Sequence, residues 1–281
     1  MFKVSWVPLA SASLSVLSLC GVAGATEFVS QADSYTQGTV SLSHEVYDQP
    51  SACLGQPTGV TGVGSPYPGV VSVFNPPYDT DQIVLIGVGG SIQLQFPSPV
   101  VVGTGPAIGV FSNVGLEDSD YPNGVVADPL VPFGGGTADV SVSQDGTNWV
   151  SLGTVDFDNP ENYYLNAGPY DAGAPADPQV ADFGQPFTGS VNEFAGEDNA
   201  QVLSTLDGSA GGTWLDLSGT GLSQVDYIQF SIPGNAPSGS QLALSAVSVA
   251  ESHEVPEPAS LSLIAAGGLL ALARRRRTTI S

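Results

Sequence analysis

Ser91-Ile92-Gln93-Leu94-Gln95-Phe96 places an apolar residue at every second position. That period suits a strand with one face buried and the other wet, and it does not suit a helix. Comparable short segments recur at 69–74, 82–87, 108–112, 138–143 and 149–153, then at 201–206, 214–217, 225–232 and 241–249. Clusters of Gly, Pro, Asn and Asp separate them, so no helical period builds up. Asp139-Val140-Ser141-Val142-Ser143 leads through Asp145-Gly146 to Trp149-Val150 and predicts a hairpin, in which the glycine supplies the positive φ of the turn. About ten such strands predict an all-β fold, a single β-sandwich of jelly-roll type over residues 26–252.

Two long irregular stretches interrupt the pattern, at residues 115–136 and 157–200. Loops of this length are uncommon inside compact domains and are usually functional or mobile. They are expected to be solvated excursions, with a binding lid as the alternative.

The charge distribution constrains partners. The 281-residue chain has a formal net charge of −22, and its five basic residues are Lys3 and the four arginines 274–277. No carboxylate in residues 26–252 can pair with a lysine or arginine from that region. Each must stay hydrated, accept backbone N–H bonds or take a cation from solution. Without a basic patch to neutralise phosphates, nucleic acid and anionic lipid are poor partners.

Residues 1–25 read as a secretory signal. Lys3 is a thin n-region, residues 4–22 are mostly apolar and small, and Ala23-Gly24-Ala25 is an A-x-A cleavage site. Removal of this segment leaves Cys53 as the sole cysteine, predicted to be a buried free thiol.

At the other end, the apolar residues 259–273 would span about 22 Å as a helix. That is short of the roughly 30 Å hydrocarbon core of a bilayer. The four arginines behind it cannot cross. The segment predicts a temporary stop that holds a secreted chain by its C-terminus until it is cut. Pro256-Glu257-Pro258, the apolar span and the terminal arginines together resemble the PEP-CTERM sorting signal of exported bacterial proteins. The resemblance implies that Pro256, Glu257 and Pro258 are recognised by an exosortase, a membrane-embedded cysteine transpeptidase. It implies a Gram-negative cell-surface or extracellular setting with transient inner-membrane anchoring, associated with exopolysaccharide and biofilm matrix. Residues 253–281 form this sorting segment.

Pieces of the central region resemble a family of uncharacterised bacterial cell-surface proteins that often carry the same tail. Residues 51–59 are similar to its A-L-G-x-P-T opening, and residues 88–96 to its G-G-S-I-x-L-x-F strand. Residues 105–113 follow G-P-D-F-x-V-F-E-N, but with Ala107 and Ser112 at the acidic positions. Residues 140–152 resemble the V-x-V-S-x-D-G-x-x-W-x-x-L hairpin also seen in discoidin-like modules, and residues 181–187, 210–217 and 221–228 complete the series. The resemblance implies a fold and a compartment, and no activity.

Candidate chemistry is sparse. The only histidines are His44 and His253, no G-x-S-x-G elbow occurs, and no lysine is available as a base. One cysteine and two distant histidines cannot assemble a zinc site. Calcium suits the acidic loops, since it takes hard oxygen ligands. Glu117, Asp118 and Asp120 are the first candidate set, and Asp156, Asp158 and Glu161 the second; the alternative for both is solvated loop acids. Tyr163, Tyr164 and Tyr170 could stack on sugar rings or fold back over the sandwich edge, whereas Trp149 and Trp214 read as core. The sequence thus predicts an exported, non-catalytic matrix or envelope protein. A calcium-dependent carbohydrate-binding module and a glycan-active enzyme are the alternatives.

Overall fold

The computed structural model describes residues 26–41 and 46–251. The signal segment, His44 and everything from residue 252 onward, including Pro256, Glu257, Pro258 and the expected short C-terminal helix, lie outside the described residues.

The strands in chain order are β1 (Gln31–Thr36), β2 (Val60–Thr61), β3 (Gly69–Val70), β4 (Val84–Gly87), β5 (Ser91–Val101), β6 (Pro106–Ser112) and β7 (Gly115–Leu116). There follow β8 (Pro132–Phe133), β9 (Gly136–Ser143), β10 (Trp149–Phe157), β11 (Thr213–Asp216), β12 (Gln224–Ser231) and β13 (Gln241–Val249), with, among the described residues, one α-helix, α1 (Asn199–Leu206), before β11. Nine strands form one antiparallel sheet in the order β1-β5-β12-β9-β13-β6-β11, with β10 added to β9 and β4 to β13.

The sheet is creased. β9 and β13 touch through one residue pair, Gly136 with Leu242. On one side lies a leaf of β1, β5, β12, β9 and β10; on the other, a leaf of β4, β13, β6 and β11. Ile92, Leu94 and Phe96 of β5, Val140 and Val142 of β9, and Ile228 and Phe230 of β12 belong to the first. They share one core with Ile86, Ile108, Val110, Leu242, Leu244 and Val247 of the second. The result is the expected sandwich-like all-β fold, with its leaves continuous at one corner. Gly136 permits the crease: its φ is +142°, and a Cβ there would lie 1.8 Å from the Gln241 carbonyl oxygen.

Local sequence accounts for most of the ladder. β5 buries Ile92, Leu94 and Phe96 and leaves Ser91, Gln93 and Gln95 partly wet, as its alternation requires. Its pairing with β12 jumps between Val225 opposite Val100 and Tyr227 opposite Gln95. The skipped residues include Pro97 and Pro99, which cannot donate to a ladder. The β9–β10 hairpin closes as predicted, with Trp149 opposite Ser143 and Gly146 at φ +72°.

Three segments depart from the expectation. Residues 201–206, read as a strand, lie in α1. Asp198 caps this helix: its Oδ1 accepts the Gln201 N–H at 2.9 Å, and the Gln201 side chain accepts the Asp198 N–H at 2.9 Å. The strand expected at 69–74 stops at Val70 and turns, because Ser72 and Asn75 bond each other's backbone. β1 was not foreseen; its residues, Gln-Ala-Asp-Ser-Tyr-Thr, show no buried apolar alternation because it is a largely exposed edge strand.

The largest difference concerns the two irregular stretches, which are exposed at their tips, as at residues 119–123 and 176–180, but packed over much of the rest. β6 and β13 are buried along nearly their whole length, on both faces. Phe111 and Ala246 point away from the sandwich core into a second cluster with Ala181, Phe183 and Ala210. Further out, Leu116, Val126, Phe187, Val191, Phe194, Val202 and Leu206 form a third cluster with Val73 and Phe74. The stretches at 115–136 and 157–200, together with α1 and the residues that follow it to Ala210, therefore make a cover over the outer face of the second leaf.

Candidate binding face

The described residues contain no Lys, Arg or His, so their carboxylates find other partners. Several accept backbone N–H groups and build turns. Asp79 takes Gly62 N–H at 2.7 Å, Asp171 takes Gly168 N–H at 2.7 Å, and Asp216 takes Ser218 N–H at 2.7 Å. At the β9–β10 turn, hydrogen bonds from the Asn148 backbone and side chain, then from Thr147, hold the Asp145 carboxyl well below the usual carboxylate range.

The first candidate cluster is built this way. Asp118 Oδ1 accepts N–H bonds from Asp120 and Val125, both at 2.9 Å, and Oδ2 accepts from Gly124 at 3.1 Å. These bonds fold residues 118–125 into a tight turn with Tyr121 at its tip. Asp120 is exposed and accepts from the Asn123 amide at 3.1 Å, while Glu117 is exposed on the flank. Asp118 is thus occupied as a turn former.

The structure brings this turn against Tyr170, from the second irregular stretch. Val70 N–H bonds the Asp171 carbonyl and the Ser72 hydroxyl bonds the Pro169 carbonyl, both at 2.8 Å, pinning the chain on either side of Tyr170. The Tyr170 ring packs on Phe74, with centroids 6.3 Å apart, and meets Tyr121 edge-on at 5.0 Å and 64°. Burial pushes the Tyr170 hydroxyl above its ordinary value, and so does the negative charge of the nearby Asp118 carboxylate. Tyr121 itself is 73% exposed. The cover thus presents an exposed ring backed by a held ring, with the exposed acids Asp120 and Asp171 next to the two tyrosines in sequence. Tyr121 was missed from sequence because nothing local marks a tyrosine at a turn tip as backed by another ring.

The other candidates lie elsewhere. Asp156 and Asp158 are exposed and line a groove of about 240 Å³ with Val114, Pro132, Gly134, Gly136, Thr137 and Phe157. Asp156 accepts the Thr137 hydroxyl at 2.6 Å. Glu161 does not join them. It is 1% exposed, beneath the cover, where Ser245 Oγ bonds its Oε1 at 3.3 Å and its Oε2 has no hydrogen-bond partner among the described residues. Burial pushes its carboxyl up to about 8, against the smaller opposing effect of the Ser245 bond. Among the described residues, no three side chains of His, Cys, Asp or Glu gather as a metal-ion site.

Tyr163 and Tyr164 fold back over the sandwich. Tyr164 is buried, and Tyr163 packs 4.8 Å from it and 5.5 Å from Phe183. Trp214 is half-buried between the two cover clusters and Trp149 half-buried on β10. Cys53 is a buried free thiol, pushed by burial up to about 12, and therefore held as an unreactive thiol.

No helix among the described residues is long and apolar enough to cross a membrane. The tail beyond them joins Pro256-Glu257-Pro258 to an apolar run and four arginines. Residues 254–277 match the PEP-CTERM protein-sorting motif. That motif marks an exported protein sorted to the cell surface or exterior and processed by an exosortase. Comparison with curated proteins finds no match.

Proposed function

We propose that this chain is a non-catalytic protein of the extracellular matrix of a Gram-negative bacterium. Its tail holds it briefly in the inner membrane until an exosortase processes it, and the released domain lodges among exopolysaccharide. The observation that carries this reading is the sorting motif at residues 254–277. Two further features support the non-catalytic part. Several carboxylates are committed to turns, among the described residues no three of them gather, and the most perturbed acid, Glu161, is buried beneath the cover.

The test is fractionation of the native host expressing a chain tagged within the ectodomain, with and without its exosortase. The expected result is a shortened form in the polysaccharide-bound fraction and a full-length form in the inner membrane when the exosortase is absent. Full-length protein in the membrane under both conditions would overturn the reading. So would release of reducing sugar from the host polysaccharide by the purified domain, which would make it an enzyme.

A further inference from the structure

We propose that the Tyr121–Tyr170 face binds a glycan bearing free, protonated amino groups; this rests on the matrix reading above and names the class of polysaccharide. The first support is presentation. Tyr121 is 73% exposed, yet its ring is backed by Tyr170 at 5.0 Å, and Tyr170 is held in turn by Phe74 and by the backbone bonds that pin Pro169 and Asp171 on either side of it. A rigid aromatic ring offers contact area at low ordering cost, because little side-chain freedom is lost on binding. A pyranose presents a flat C–H face that suits such a ring.

The second support is charge. The exposed Asp120 immediately precedes Tyr121, and the exposed Asp171 immediately follows Tyr170. No described residue carries a cationic side chain to balance them, and the chain as a whole is at −22. A polyuronate or sulfated glycan would meet only repulsion here. A hexosamine polymer with free amines satisfies both features. Its sugar face stacks on Tyr121, and its ammonium groups lie beside Asp120 and Asp171 and near the π-faces of the tyrosines, where a cation is attracted. The Asn123 amide, hydrogen-bonded to Asp120 Oδ2 at 3.1 Å, sits on the same turn, where it can meet ring hydroxyls.

The test measures binding of the purified ectodomain to glucosamine oligomers, N-acetylglucosamine oligomers and oligouronates at about 0.15 M salt. The free-amine oligomer should bind, the acetylated one more weakly and the uronate not at all. Any polycation is attracted to so acidic a protein, so the decisive variant is Tyr121→Ala, which removes the ring and leaves every charge in place. It should weaken free-amine binding about tenfold with unchanged thermal melting. Asp120→Asn should weaken it by a smaller factor and reduce its salt dependence. Equal binding by wild type and Tyr121→Ala would overturn the proposal, as would preference for the acetylated oligomer. Tagged protein in the host matrix without glucosamine binding would sink this inference alone; protein absent from the matrix would sink the reading beneath it.

Discussion

The sandwich and its cover are built from the same residue types under opposite rules. In the first leaf, β5 and β12 alternate buried and wetter residues, and backbone ladders hold register. In the cover, apolar residues such as Phe183, Phe187, Val191 and Phe194 follow no strand period. They are positioned by turns that aspartates build and by short bridges such as Tyr164 with Val180 and Asp182 with Ser209. Periodicity organises one region; individual hydrogen-bonded turns organise the other. The comparison teaches that a domain whose described residues carry no cationic side chains can still use acids structurally, by pointing them at its own amides.

The most forceful way to break this comparison is to open a cavity in each region. Phe230 lies in the sandwich core and Phe194 in the cover, and both are fully buried. Replacing either with Ala should cost about 3–5 kcal/mol in urea unfolding. If the two regions form one cooperative unit, both variants unfold in a single transition. An early separate transition in Phe194→Ala alone would show that the cover melts independently of the leaves.

Glu161 tests the seam between them. Its folded-state value lies near 8, above the ordinary 4.5 that the unfolded chain displays. The folded protein therefore holds the proton more tightly. The resulting stability is fully present below about pH 4.5, is lost as pH rises toward 8, and levels off above that. With about 1.4 kcal/mol per pKa unit, the loss is on the order of a few kcal/mol. Glu161→Gln should flatten this slope, matching wild type near pH 4 and exceeding it near pH 9 in denaturant titrations. An unchanged slope would mean that the carboxyl is not the group responsible.

Much of the sandwich was legible because burial on one face imprints period two, and a hairpin needs a glycine with positive φ at a fixed place. The cover left a fainter trace. β13 reads Gln-Leu-Ala-Leu-Ser-Ala-Val-Ser-Val, with no regular wet face and small residues at Ala243, Ala246 and Ser248. Such an unbroken run signals burial on both sides, but it does not say which distant segment supplies the second side. Tyr170 was legible as a candidate, whereas Tyr121 depended on a meeting of two loops that no local pattern encodes. Glu161 looked like a loop acid because sequence proximity grouped it with Asp158; packing under the cover separates them.

Smaller effects sharpen the picture. Asp198→Ala removes the cap of α1 and should cost about 1 kcal/mol, with hydrogen exchange accelerating first in residues 199–206. Calcium added in the micromolar range should leave the melting temperature unchanged, since Asp118 already spends both oxygens on amides. A calcium-specific rise, absent with magnesium, would return the acidic loops to consideration as ion sites.

The absence of lysine and arginine between residues 26 and 252 also bears on survival outside the cell. Trypsin-like proteases, which cut after basic side chains, find no scissile bond anywhere in that span. Digestion by such enzymes outside the cell would trim the ends and spare the span between them. By the same token, surveys that identify proteins from tryptic peptides would pass over it.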